Sequence, residues 1–590
     1  MHAPAHPPAR SVPSLALFAH RFLAIFIVVA SVDGCGGTTG EPSAPAIGPG
    51  HVATLTIGGA PTGSVIAGQV VSLSITTFDR DHQVLVGFPV SWTTSDTLVA
   101  RVTASSTGAQ VSARNPGTVK IGAYSDNQQT SVSLTVVPIP VASVKLSQTN
   151  LTLYTGNQSR LTASALDSLG RPLAGRTIAW TSSNAQVARV DTAGLVSAIG
   201  AGTASITATS EGKSSALPIT VIARPVADWS SVTEEWLNYQ ANARHTGSVP
   251  ATIDPGVFVE SWSSTPVPGV ALNPVTIAEG RVFVSTNAYF GKQFLAVLDA
   301  KTGGVQWTHD FGGIHSVDPP TYANGSVYVA TGGHEDSYIW AFGVTDGATR
   351  FRTQYGNQWS RWFTPVVSGD TLFMAGGYYG GMYSYSTKDG RQLWFTTLNQ
   401  YDMFTPAVKN GLVYAHTGDY APKLTVADAT NGKVVYEITD PHFNWDGWSM
   451  NTAPVLGDAN DVIAAQGGRL LAFDLTRRVI AWELTGGYAG QPSVANGVIY
   501  VARSSQVEAH READGGLLWT WIPPQGSVVG PMIVTNNLLF VTTASATYAI
   551  DLSTHGSTWS YPAGGQIAIA KSGMLLIAQT TGKLTAITIR

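Results

Sequence analysis

The residues best suited to chemistry in this chain are aromatic, and they cluster in short loops of the C-terminal half. Tyr289, Phe290, Trp359, Trp362, Tyr378, Tyr379, Tyr401, Tyr420, Trp445, Trp448 and Tyr488 lie in segments such as NAYFGKQ, GNQWSRW, GGYYGG, NQYDM and PHFNWDGWSM. Aromatic rings present a wide apolar area at low entropic cost, so their chemistry is non-covalent recognition. Arg361, Asp402 and Asp446 stand among them and are suited to orienting a ring or a ligand. The candidate ligand-binding set is Trp359, Arg361, Trp362, Tyr379, Tyr401, Asp402, Trp445, Asp446, Trp448 and Tyr488. The competing assignment for each ring is a wedge between neighbouring structural units.

No catalytic or metal-ligating set is legible. His315, His334, His416 and His442 fall near the same loops but share no ligand spacing. His334-Glu335-Asp336 reads as a solvated loop, with contact to a cation as the alternative. G-x-S-x-G, H-E-x-x-H and P-loop patterns are absent, and no acid–base pair stands out. The single cysteine, Cys35, excludes an internal disulfide framework and a multi-cysteine metal site. A net charge of −4 supplies no basic field, so nucleic acid is not an expected partner.

The elements that must carry these loops are strands. The chain has 590 residues, 44% hydrophobic but only 12% charged, with 62 glycines, which suits short strands and turns and implies several cores. The unit FLAVLDAKTGGVQW, Phe294 to Trp307, reads as an alternating strand, a turn opened by Asp299 and relaxed by Gly303 and Gly304, and a strand led by an aromatic. It recurs as MYSYSTKDGRQLW, LTVADATNGKVVY, LLAFDLTRRVIAW, VEAHREADGGLLW and TYAIDLSTHGSTW. Fourth-strand aromatics fall at Trp262, Trp307, Phe351, Trp394, Tyr436, Trp482, Trp519 and Trp559. Their spacing lies between 37 residues (Trp482 to Trp519) and 46 (Tyr436 to Trp482). Four strands per repeat of about 40 residues is the mark of a β-propeller. Eight blades are expected over residues 229–590, with VFVESWSS (257–264) completing the last blade and closing the ring. Strand order then places the aromatic loops on one face and the DAKTGG-type turns on the other. Blades six to eight contribute few aromatics, so the patch is lopsided.

The repeat A-x-D-x-x-T-G-x-x-x-W, led by Trp236, Asn242, Thr246 and Gly247, resembles the pyrroloquinoline-quinone-like repeat. That resemblance implies one of two branches. Non-enzymatic propellers include the lipoprotein of the outer-membrane β-barrel assembly machinery, and the other branch is the quinoprotein dehydrogenases. The dehydrogenases carry a vicinal disulfide and long insertions with calcium ligands, and neither is found here. The expectation is therefore no cofactor, with pyrroloquinoline quinone and calcium only under the alternative.

Two segments precede the propeller. SWTTSDTLVARV and AWTSSNAQVARV, each with one tryptophan (Trp92, Trp180), begin similar runs of short strands that read as β-sandwiches over 51–138 and 141–223. Both resemble the bacterial Ig-like group 2 family, the second more fully. At the N-terminus, FLAIFIVVASV follows Arg10 and Arg21 and reads as a signal peptide, residues 1–35. VDGCGG resembles a lipobox, which implies lipidation at Cys35, although Asp33 departs from the pattern. Residues 36–50 read as a flexible tether. The expectation is an all-β, lipid-anchored cell-envelope protein, placed at the outer membrane or cell surface. Two Ig-like sandwiches would project an eight-bladed propeller that binds an envelope protein, peptide or glycan. A purely structural surface protein is the remaining alternative.

Overall fold

The computed structural model describes residues 50–105, 107–333, 335–357, 364–377, 380–398, 403–418, 421–443, 450 and 452–590. The chain divides into two compact units, Met1–Ile139 and Pro140–Arg590.

The first unit is a sandwich of two sheets. Thr54–Gly58, Val70–Phe78, Gly108–Ala113 and Ala100–Ser105 form one, with Val84–Leu85 on its flank. Val65–Ile66, Gln128–Val137, Gly117–Ser125 and Ser91–Thr94 form the other. Alternation along each strand sends Leu73, Val111, Ile121 and Leu134 inward. The second unit opens with a sandwich of the same plan. In both, a short strand pairs in parallel with the last one: Val65 opposite Val136, and Leu151 opposite Ile219. Trp92 and Trp180 are half-buried and pack against the two cores rather than being enclosed by them.

Beyond residue 250 the described strands form seven antiparallel sheets, five of four strands, one of five and one of seven, and the seven-stranded sheet divides at a shared strand so that eight sets follow one another. The first comprises Thr276–Ala278, Arg281–Ser285, Gly291–Asp299 and Val305–Ile314. Each set's inner strand neighbours the next, and the inner strand of the eighth neighbours that of the first, so the circuit closes. The fifth and sixth sets share one continuous strand of 17 residues, Val479–Ala495. Val259–Ser264 pairs with Leu584–Thr588 and completes the eighth set, with a bulge between Glu260 and Trp262. It starts two residues later than the sequence pattern suggests, because Pro255–Val257 forms a short 3-10 turn. The architecture is Ig-like sandwiches followed by a β-propeller.

Two devices join the sets. The first is aromatic docking. The indole N–H of Trp262 donates to the carbonyl of Ala300 in the neighbouring set (3.0 Å), Trp307 to Val344 (3.0 Å), Trp394 to Ala429 (3.0 Å) and Trp482 to Glu512 (2.9 Å). The ring lies against a left-handed turn residue; at Gly303 (φ 71°) a Cβ would stand 2.4 Å from the Trp262 ring. Where that position is not glycine the side chain joins the stack. The Arg478 guanidinium sits 4.3 Å over Tyr436, and His555 stacks on Trp519 at 4.6 Å.

The second device is a strap, Trp236–Gly247, laid across the inner strands at the end of the ring where they turn into the second strands. Carbonyls of Trp236, Leu237, Ala243, Arg244, Thr246 and Gly247 accept from the amides of Ile277, Tyr322, Val408, Leu456, Val494 and Val534 (2.8–3.0 Å). The Asn238 side chain takes the amide of Val367 (2.8 Å). Seven of the eight sets are thus tied to one segment. Gly247 (φ 60°) has no room for a Cβ, which would lie 2.4 Å from Ser493 Oγ. The second sandwich is joined to the propeller by a hydrogen bond from the buried Tyr154 hydroxyl to the Asp551 carboxylate.

Trp262, 9% exposed, sits on the closing strand and docks the first set onto the eighth. Trp262→Ala is expected to lower stability by about 3–5 kcal/mol, read as an earlier unfolding transition in denaturant.

Candidate functional site

The face formed by second-to-third-strand loops and by fourth-to-first-strand connections is the one on which the sequence gathers aromatics. Trp359, Arg361, Trp362, Tyr379, Tyr401, Asp402, Trp445, Asp446 and Trp448 lie outside the described residues, as do Tyr378, Tyr420, His334 and Cys35. Tyr488 is described, and it is turned inward. It is 4% exposed, its hydroxyl donates to Glu508 Oε2 (3.0 Å), and the Arg503 guanidinium covers its ring at 5.3 Å. Burial and the neighbouring Glu508 carboxylate push its hydroxyl up to about 12. Tyr488 is therefore corrected from a stacking surface to a member of a buried polar cluster. It turns inward because Val479–Ala495 runs unbroken from the fifth set into the sixth, and Tyr488 lies within that run, paired with Gly468 and Arg503.

Two groups on this face are well defined. At the tip of the first set's hairpin, Tyr289 and Phe290 are 47% and 66% exposed. Both rings meet the buried His315 edge-on, with centroids 4.5 and 4.8 Å away. Phe290 adopts φ 50°, an unfavourable conformation for a residue with a side chain, and its amide donates to the His315 carbonyl (3.1 Å). A strained, exposed aromatic persists only where its surroundings hold it.

The second group is a charged network between the fourth and fifth sets. Arg469, 3% exposed, donates through both terminal nitrogens to Asp440 (2.7 and 3.1 Å) and through Nε to Glu483 (2.6 Å). His416 Nε2 approaches Asp440 (3.4 Å) and His442 Nδ1 approaches Glu483 (2.8 Å). Burial alone would raise the Asp440 carboxyl, but hydrogen bonds from His416 and Arg469 outweigh it and hold the group at about 2. Glu483 is likewise held low, chiefly by Arg469. The guanidinium fills the place a cation would take between the two carboxylates, so the network is structurally complete. Phe443, three residues after Asp440, lies over Gly418, where a Cβ would be 2.2 Å from its ring. Among the described residues, no group of three or more His, Cys, Asp or Glu side chains could hold a metal ion.

Reasoning from sequence noted His416 and His442 but missed Asp440, Arg469 and Glu483. The available signal was Arg469 itself, a lone charge at the head of the otherwise apolar strand RLLAF.

Arg469→Met leaves Asp440 buried without its partner and is expected to cost about 3–5 kcal/mol. Because folding lowers Asp440 from 3.8 to about 2, its contribution is full above pH about 4 and is lost as pH falls toward 2. Equilibrium unfolding between pH 7 and 3 should therefore show a shallower acid-side decline in Asp440→Asn than in the wild type.

Comparison with known proteins agrees with this architecture. Residues 140–221 match the bacterial Ig-like domain (group 2). Tetrathionate hydrolase of Acidithiobacillus ferrooxidans is 22% identical over 393 residues, spanning 58% of this chain and 77% of that protein. Among solved structures, BamB of Moraxella catarrhalis is similar over 56% of this chain and all of that one, with 14% identity and a TM-score of 0.45. A europium-containing methanol dehydrogenase is similar over 60% and 98% respectively, with 12% identity and a TM-score of 0.47. The family described as outer membrane protein assembly factor BamB matches residues 247–362, 335–561 and 477–590, which together make up more than half of the sequence, and the chain belongs to that family.

Proposed function

We propose that this protein is a non-enzymatic binding or scaffold protein of the cell envelope. Its propeller presents the aromatic-loop face to an envelope protein, a peptide or a glycan. The observation that carries this reading is the Tyr289–Phe290 pair, exposed on a strained hairpin tip and backed by the buried His315. Rigid, exposed aromatics on a fixed support are what a recognition surface needs. Membership of a family described by an outer-membrane assembly factor supports the envelope setting. In this reading Cys35 carries the lipid, residues 36–50 form the tether, and the Ig-like sandwiches act as spacers. Trp359, Trp362, Trp445 and Trp448 extend the surface, Arg361, Asp402 and Asp446 orient it, and the Arg469 network anchors its fourth and fifth sets.

The alternative, a dehydrogenase using pyrroloquinoline quinone and calcium, shares the repeat. A chain with one cysteine cannot form the vicinal disulfide that this branch carries.

The test is cross-linking in intact envelopes, comparing the wild type with Tyr289→Ala/Phe290→Ala and with Trp445→Ala/Trp448→Ala after matching their melting curves. Hot-spot aromatics lose about 2 kcal/mol or more on truncation. A partner held by the wild type should therefore be captured at least about tenfold less by the variants. Equal capture by all three would overturn the reading.

A further inference from the structure

The propeller's opposite end holds a cavity of about 350 Å³, at the lower end of the range for small-molecule sites. The strap and the segment leading into it form one wall. The hairpins between first and second strands of the fifth to seventh sets form the other, contributing Asp458, Asn496 and Asn536, together with Ile569 on the inner strand of the eighth set. The cavity is lined mainly by polar groups.

Its charges are arranged unusually. Arg244 lines the cavity and is half-buried. Its backbone is fixed, the amide donating to Asn242 Oδ1 (2.9 Å) and the carbonyl accepting from Leu456 (3.0 Å). Among the described residues its guanidinium has neither a hydrogen bond nor an ion-pair partner, although Glu234, Glu235 and Asp458 line the same space. Glu235 has Lys571 beside it, whose ammonium donates to the Thr233 carbonyl (3.0 Å). The loop bearing Asp458 is itself pinned, since Glu512 Oε1 accepts from the amides of Asp458 (2.6 Å) and Ala459 (2.9 Å). Thr246 Oγ1 accepts from the Asn242 side-chain amide and the Ser248 hydroxyl (2.9 Å each).

A guanidinium anchored at its root and left unpaired offers a planar fork for a carboxylate. Glu234 and Asp458 disfavour a multiply charged anion such as phosphate and attract an ammonium group, while Glu235 is offset by the neighbouring Lys571. One fork and an acidic wall together select a ligand carrying both charges close to each other. We propose that this cavity binds a small zwitterion, a free α-amino acid, with its carboxylate on Arg244 and its ammonium toward Glu234 and Asp458. The site is distinct from the aromatic-loop face and stands or falls independently of it.

Isothermal titration calorimetry on the full-length chain tests this with glycine, L-alanine and L-serine as probes. Acetate and ethylamine serve as single-charge halves, and inorganic phosphate as the anion control. At least one amino acid should bind, with acetate and ethylamine weaker by about tenfold or more and phosphate weaker still. Arg244→Ala should bind that amino acid at least about tenfold more weakly, with its melting curve recorded alongside to show that the variant is folded. Asp458→Asn should weaken it as well. The proposal is overturned if no amino acid binds, if phosphate or acetate binds as well as the amino acid, or if Arg244→Ala keeps wild-type affinity.

Discussion

A ring of small sheets has an exposed inner edge on every sheet, and the strap Trp236–Gly247 caps one end of that edge in seven of the eight sets. An inner strand leaves backbone amides pointing at the axis, and each unpaired, dehydrated amide costs about 1–3 kcal/mol. Seven sets place one such amide on the strap. The strap's own geometry is forced by this: Gln240, Ala241 and His245 all adopt positive φ, as does Gly247. His245, fully buried, spans from the Tyr239 carbonyl (2.8 Å) to that of Pro406 (2.9 Å), locking the strap against the inner end of the fourth set. Such strain is sustained because the surrounding sheets over-determine it. The sheets in turn receive a common floor from one segment of chain.

The outer part of the ring is held by the aromatic dockings, and these explain the repeat's consensus. Aspartate opens the turns at Asp299, Asp428, Asp474 and Asp551 because its carboxylate accepts the next amides, as Asp299 does from Lys301 and Thr302 (3.0 and 2.8 Å). Glycine follows because a neighbouring ring covers the place of a Cβ. Tryptophan ends the unit because its indole reaches the next set's carbonyl while its rings bury the seam. Arg478 and His555 pay the cost of a left-handed conformation and return contact to the ring beneath them.

These local rules are why the architecture was legible in the sequence. Alternation, Asp-Gly turns and the spaced aromatics are short-range signals, and each repeat restates them. VFVESWSS carried the same pattern, so its pairing across the ends of the ring could be anticipated even though its partner strand is more than 300 residues away. The sites were less legible because they depend on which repeats become neighbours. Asp440, Arg469 and Glu483 come from two sets and meet only after the ring forms. Tyr488 looked like the other loop aromatics, but an uninterrupted strand turned it inward. Arg244 sat inside a recognisable motif, and nothing in ANARHTG reveals that its neighbours would leave the guanidinium unpaired. Tyr289 and Phe290 were visible, but the strain at Phe290 was not.

The two ends of the propeller thus have different characters: the exposed Tyr289–Phe290 tip and the buried Arg469 network at one, a polar cavity floored by the strap at the other. Both depend on the strap holding the sets in register. Native-state hydrogen exchange at the amides of Ile277, Tyr322, Val367, Val408, Leu456, Val494 and Val534 tests this most directly. If the strap ties the sets together, these amides open in one cooperative event, with a common free energy close to that of global unfolding. Exchange set by set, at unrelated free energies well below the global value, would contradict the account.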